Sequence, residues 1–342
     1  MNKKLSFKPR WFVVIVFFLV GIFIGGIVFF IWIFNSSNVF GFQKIRSAKS
    51  LYQFINPLLA VDVNEKKDFL ETQVLKNRVI QPVQEKMKSN KISQFALYFR
   101  ELDTGRWMGI NDDAKFSTGI FLKVPIMIAY LKSAESNPEV LKQTFVYEKT
   151  PIQEGEHNPD FTYGKPYSVE ELIKAMIVDD DSDAANVLYK NIDKTALNDI
   201  YTDLGINAIE DNITYDFVSV KFYALIFRVL YNATYLDRNM SEKALKILSE
   251  TTVDDGIGKG LPNNATIAHK YRVRKFAING IETVEGHDCG IIYYPDHNYI
   301  LCVMAMSSKE QNISDFFNEL STMIYNDMRS RYQLRKEDAV EY

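Results

Sequence analysis

"KFSTGIFLKVPIMIAYLK", residues 115–132, sets a single cation, Lys123, in the middle of an apolar run. Ile120, Phe121, Leu122, Val124, Ile126, Met127 and Ile128 surround it. Pro125 fits best in the first turn of a helix, so residues 120–123 are expected near a helix start. Burying an ammonium costs several kcal/mol unless a partner meets it. The stretch therefore predicts a buried helix whose lysine finds an acid elsewhere in the chain.

Upstream, "ISQFALYFREL" (92–102) reads as a strand, "DTG" (103–105) as its turn and "RWMGIN" as the returning strand. Downstream the signals are mainly helical to about residue 250. "SVEELIKAMIVDD" opens with Ser168 followed three residues later by Glu171, a capping box. "SVKFYALIFRVLYNATYL" and "SEKALKILSETT" follow as helices, the second with Ser241 as its cap. Then come strands "TIAHKYRV", "DCGIIYYP" and "YILCVMAM", the last two joined by "PDHN". A closing helix carries Ile313, Phe316, Phe317, Leu320 and Ile324 on one face. Strands at both ends with helices inserted between them imply an α+β sheet domain with a helical subdomain. Any active cleft of such a domain is expected between the two halves.

The chain has 342 residues, 47% of them apolar, enough for a sizeable core. Net charge is −3, and Lys3, Lys4, Lys8 and Arg10 supply +4 of it, leaving −7 on the rest. That balance argues against nucleic acid as the main partner. Cys289 and Cys302 are the two cysteines, too few for a disulfide scaffold or a thiolate zinc site; they read as buried free thiols. Trp11–Phe34 runs for 24 residues without a charge, longer than the ~20 a spanning helix needs. The preceding cations place the N-terminus on the cytoplasmic side. An uncleaved single-pass anchor is expected, with the main domain outside the cytoplasm. The organisation read from the chain is 1–10 cytoplasmic, 11–34 anchor, 35–90 stalk and leading helix, 91–332 main domain, and 333–342 a polar tail. Pro57 and Pro82 are expected to break the stalk helix. Gly21 and Gly25 form one GxxxG, a weak signal for helix pairing.

The order of "FSTGIFLKVPIM", "YSVEELIKAMIVDDDSDAANVL", "IAHKYRV" and "HDCGIIYYPDHNYILCVMA" resembles the class A β-lactamases and penicillin-recognising serine hydrolases, over roughly residues 91–332. The resemblance implies a β-lactamase/transpeptidase-like fold with an antiparallel sheet, terminal helices and an inserted helical subdomain. Members carry Ser-x-x-Lys, Ser-Asp-Asn and Lys-Thr-Gly motifs. Serine and lysine at i and i+3 share a helix face, so the amine can take the hydroxyl proton. Here Lys123 keeps the lysine, and Ile120 stands at the nucleophile position. Ser117 and Thr118 lie too far along the chain for the i, i+3 place, so Ser117 is at best a displaced substitute. The second motif reads Asp180, Asp181, Ser182, and the third reads Lys270, Tyr271, Arg272.

These positions imply candidate catalytic residues Lys123, Asp180, Ser182 and Lys270, and a ligand-binding strip Lys270, Tyr271 and Arg272. An aliphatic side chain cannot attack a carbonyl, so an inactive member that binds cell-wall peptide (peptidoglycan) or an envelope protein is expected. The alternative is an active β-lactamase or peptidase using a displaced hydroxyl. No convincing match stands for the class A loop glutamate; Glu210, Asp211 and Asp216 lie in that region without its pattern. Asp180 is expected to pair with Lys123, and with Lys270 as well.

No cofactor or metal is implied. Asp179, Asp180, Asp181 and Asp183 lack the glycine and closing glutamate of a calcium loop, and read as solvated or salt-bridged acids. His157, His269 and His287 show no metal-ligand spacing and read as local hydrogen-bonding residues.

Overall fold

The structure is a computed structural model and describes residues 53–56, 70–117, 123–150, 158–203, 217–251, 256–278 and 280–338. All of these fall in one compact unit spanning 49–57 and 61–342. No helix among the described residues is long and apolar enough to cross a membrane; Trp11–Phe34 lies outside them.

The elements run α1 (Leu70–Lys88), β1 (Gln94–Glu101), β2 (Trp107–Ile110), β3 (Lys115–Ser117), α2 (Lys123–Ser136), β4 (Thr144–Val146), β5 (Pro166–Ser168), α3 (Val169–Val178), α4 (Ser182–Asn191), α5 (Lys194–Asp203), β6 (Phe217–Ser219), α6 (Val220–Tyr231), α7 (Arg238–Ser249), β7 (Thr266–Ile278), β8 (Ile281–Tyr293), β9 (Tyr299–Ser307) and α8 (Glu310–Asp338). The main sheet is antiparallel, in the order β2-β1-β9-β8-β7. This is the α+β arrangement expected from strands at both ends of the chain.

Both faces of the sheet are covered, which explains why β1 reads as a continuous apolar run rather than an alternating one. Phe95, Leu97 and Phe99 point to one core, with α1 and α8. Ala96 and Tyr98 point to the other, with the helical layer. The closing helix buries Ile313, Phe316, Phe317, Leu320 and Ile324 completely. Alongside it, α1 contributes Leu75, Val79 and Val83. Pro82 sits inside α1 instead of breaking it. An internal proline costs ~3 kcal/mol, and burial of Val79 and Val83 on either side offsets that loss.

Two further expectations are corrected. Cys289 and Cys302 are not free thiols: β8 and β9 place them directly opposite, Cα atoms 4.0 Å apart, and they form a disulfide. Ser241 is not a cap. Helix α7 begins three residues earlier, with Asp237 accepting from the Met240 N–H at 2.9 Å. Ser241 is fully buried inside the helix, and its hydroxyl donates to Leu236 O.

Candidate functional site

Lys123 is the first residue of α2, as Pro125 in the opening turn requires. It is 4% exposed, so its ammonium has left water. Its acid comes from the short break between α3 and α4. Asp179 and Asp181 both donate their N–H groups to Ala175 O, which folds the chain back after α3. Between them Asp180 takes a left-handed conformation, φ 54°. Aspartate tolerates this region better than most side chains. The result turns the carbonyl and the carboxylate of Asp180 toward the same cation. Lys123 Nζ donates to Asp180 O at 2.7 Å and to Asp180 Oδ1 at 2.8 Å.

The third motif arrives on β7, an edge strand. Lys270 Nζ lies 2.6 Å from the same Oδ1 and donates to Ile177 O at 2.9 Å. Two residues along the strand and on the same face, Arg272 Nε stands 3.6 Å from Asp180 Oδ2. Its Nη1 approaches Ser182 Oγ at 3.4 Å. Tyr271 points the other way, as strand alternation demands, and packs edge-on to Phe317 under α8. The strip Lys270, Tyr271, Arg272 is therefore split between the two sides of the sheet.

One carboxylate thus faces three cations. Burial drives the Lys123 pKa down to about 7; Asp180 opposes that shift, while Lys270 and Arg272 reinforce it. Lys270 is lowered by burial too, against the pull of Asp180. Asp180 is held well below the usual carboxylate range: its partial burial acts upward, and Lys270, Lys123 and Arg272 together outweigh it.

Within the Asp run Asp180 is salt-bridged, as expected, while Asp181 and Asp183 are buried and hydrogen-bonded, which the reading as solvated or salt-bridged acids did not foresee. Asp181 is fully buried and caps α4, accepting from Ala184 N at 2.8 Å. Its other oxygen accepts from Tyr147 Oη at 2.7 Å and Asn158 N at 2.9 Å. Asp183 accepts from Thr150 N and Tyr163 Oη, both at 2.7 Å. Asp179 accepts from Asn158 Nδ2 at 2.7 Å. Tyr147, Phe161, Tyr163 and Tyr167 stack into one aromatic cluster over these acids. No group of three metal-ligating side chains occurs among the described residues.

His269 sits on the far face, its Nδ1 2.9 Å from Asp288 Oδ1, and Asp288 also accepts from Ile257 N. His287 lies edge-on to Phe116, with Nε2 2.9 Å from Glu285 Oε1. Ser117 ends β3, its backbone paired with Phe217. Ile120, Thr118, His157, Glu210, Asp211 and Asp216 lie outside the described residues.

The sequence reading missed Ile177 O as a partner of Lys270, and a backbone carbonyl leaves no residue signature. It also missed Tyr147 and Tyr163 as donors to the acids. The repeated tyrosines between 147 and 167 were the available signal.

A five-stranded antiparallel sheet backed by helices from both ends of the chain is the β-lactamase/transpeptidase-like α+β fold. Lys123 and Lys270 meet in it between the helical layer and the edge strand. The family model described as the beta-lactamase enzyme family matches residues 78–328, and the chain belongs to that family of β-lactamase-like serine hydrolases. Among solved structures the chain is similar to PBP-A, at 21% identity and TM-score 0.62, covering 75% of this chain and 96% of that one. It is likewise similar to the TLA-3 extended-spectrum β-lactamase, at 16% identity and TM-score 0.65, covering 75% and 99%. A class A β-lactamase from Mycobacterium abscessus gives 17% identity and TM-score 0.62, covering 73% and 99%. No curated protein sequence matches the chain.

Proposed function

We infer that this chain is a membrane-anchored, extracytoplasmic member of the family that has lost turnover and retains binding of a carboxylate-bearing ligand, cell-wall peptide first and an envelope protein second. The observation that carries this reading is the double capture by Asp180. The amine placed to act as base and the lysine placed to hold a substrate carboxylate both bind one internal carboxylate, with Nζ–Oδ1 distances of 2.8 and 2.6 Å. Ile120, three residues before Lys123, supplies no nucleophile. Arg272 is the least buried of the three cations around Asp180. A ligand carboxylate would add there by a charge-assisted, bidentate contact.

The test is covalent labelling of the full chain with a fluorescent penicillin. The expected result is no adduct on the wild type and an adduct on Ile120→Ser combined with Asp180→Ser. The binding half is read by retention on purified peptidoglycan, lost in Arg272→Ala. Retention indifferent to Arg272 would remove peptide binding at this cleft.

The second reading, an active hydrolase with a displaced hydroxyl, is favoured by the Lys123 pKa of about 7, since an amine half-neutral at that pH can accept a proton. Wild-type labelling mapped to Ser117 or Ser182 would establish it. The anchor proposal rests on the uncharged run Trp11–Phe34. Alkaline carbonate should leave the full chain in the membrane pellet and release a chain lacking residues 1–34.

A further inference from the structure

A cavity of 410 Å³ opens between β1, β2 and the first turns of α6, and it shares no lining residue with the Lys123–Asp180 cluster. Arg100, on β1, is 7% exposed and lines it. Among the described residues the Arg100 side chain makes no hydrogen bond and no ion pair. Its stem is packed away while its guanidinium, not matched by any acid among those residues, keeps its open access on the cavity side.

Two more cations line the same cavity. Lys221 and Arg228 lie on one stripe of α6, seven residues apart, and both line the cavity. The N-terminus of α6 adds positive potential at the same end. Lys221 is shared with Asp112 at 3.8 Å and stands 5.6 Å from the centre of the Trp107 ring. Asp113 is the one carboxylate on the rim, and it is exposed. Trp107 stacks on Tyr98 at 5.9 Å and 20°, giving the cavity a flat apolar floor beside the cations.

We propose that this cavity binds a small organic anion, a carboxylate or phosphoryl group held by Arg100 with its flat apolar body against Trp107. The fork of a guanidinium donates two parallel N–H bonds to such oxyanions. The volume suits a ligand of benzoate to nucleoside size.

The test uses the full chain with Trp11→Phe and Trp32→Phe, so that Trp107 is the single tryptophan reporter. Benzoate should quench its fluorescence saturably. Benzyl alcohol, the same body without the charge, should bind at least ten-fold more weakly. Inorganic phosphate that displaces benzoate assigns the site to free oxyanions; phosphate that fails to displace it assigns the site to aromatic acids. Either result supports an anion site. Arg100→Met should abolish quenching while leaving the ligand-free protein folded, because the guanidinium has no side-chain partner among the described residues to lose. Lys221→Gln, at an exposed position, should weaken benzoate three- to ten-fold without loss of fold. Equal binding of benzoate and benzyl alcohol, or unchanged benzoate quenching in Arg100→Met, would overturn the proposal.

Discussion

Asp180 carries more consequence than any other single side chain described above. Its carboxylate meets Lys123, Lys270 and Arg272 together. Replacing it with alanine leaves two buried ammonium groups facing a guanidinium, and breaking a buried pair in this way costs ~3–5 kcal/mol. Asp180→Ala should therefore lower the melting temperature clearly, while Asp199→Ala, at an exposed position on α5, should stay within ~0.5 kcal/mol. Equal and small effects would show that the cations have other partners. The pH dependence has a defined sign. Lys123 titrates near 7 in the folded protein and at its ordinary, higher value when unfolded. Between those values the unfolded chain binds the extra proton, so this group makes stability rise with pH, by at most ~1.4 kcal/mol per unit. Asp180 acts at the other end: its folded pKa is depressed, so its contribution is present above the ordinary carboxylate range and lost as pH falls through its folded value. Lys123→Met should flatten the alkaline rise in a urea series at pH 7, 8 and 9; an unchanged slope would mean that another group titrates. At this scale the lysines and Asp180 were legible, because motif spacing survives when motif chemistry is lost. Tyr271 was not separable from its neighbours until strand alternation was fixed.

Among the elements, the cap of α4 is the most heavily used. Asp181 takes three hydrogen bonds, from Ala184 N, Tyr147 Oη and Asn158 N, and so ties the α3–α4 break to the segment that carries the aromatic cluster. Removing an N-cap costs ~1 kcal/mol, and each buried donor left unmatched ~1–3 more. Asp181→Ala should lose on the order of 3 kcal/mol in denaturant unfolding, and Asp181→Asn, which keeps the cap oxygen, about half of that. If both variants unfold at the wild-type midpoint, the break is held by something else. The sequence named one cap well and one badly, for a physical reason. Ser168 and Glu171 reinforce each other reciprocally, with Glu171 accepting from Ser168 N at 2.8 Å, and such a pair is visible as a spacing. Ser241 stood alone before an apolar run, and so did Asp237, four residues earlier. Either could cap a helix; the choice was made by which carboxylate or hydroxyl reaches a free N–H, and that is tertiary information. The disulfide was hidden in the same way, since strand register alone brings Cys289 opposite Cys302.

At the scale of the molecule, the layers were legible because the apolar runs of β1, β8 and β9 and the face of α8 leave few ways to bury them. The leading helix read within residues 35–90 is the helix 70–88, packed into the core, whereas the attachment of 53–56 to the helical layer left no sequence signal. Glu242, in the second turn of α7, accepts from Gln53 N at 2.6 Å, Phe54 N at 2.8 Å and Ile55 N at 3.1 Å. Asn56 N donates to Tyr231 O, Tyr293 Oη donates to Phe54 O, and the Phe54 ring meets Tyr293 edge-on at 5.3 Å. Phe54 and Ile55 are buried, at 6% and 3% exposure. One carboxylate satisfying three backbone donors is a concentrated dependence. Glu242→Ala should raise amide exchange at residues 53–55 by on the order of 10–100-fold, since charge-assisted bonds of this kind contribute ~1.5–3 kcal/mol each when isolated. Exchange in β1, β8 and β9 should not change, because those strands take their protection from the sheet. A uniform rise across strap and sheet would mean that the strap supports the whole fold, and an unchanged strap would mean that Tyr231 and Tyr293 hold it without Glu242.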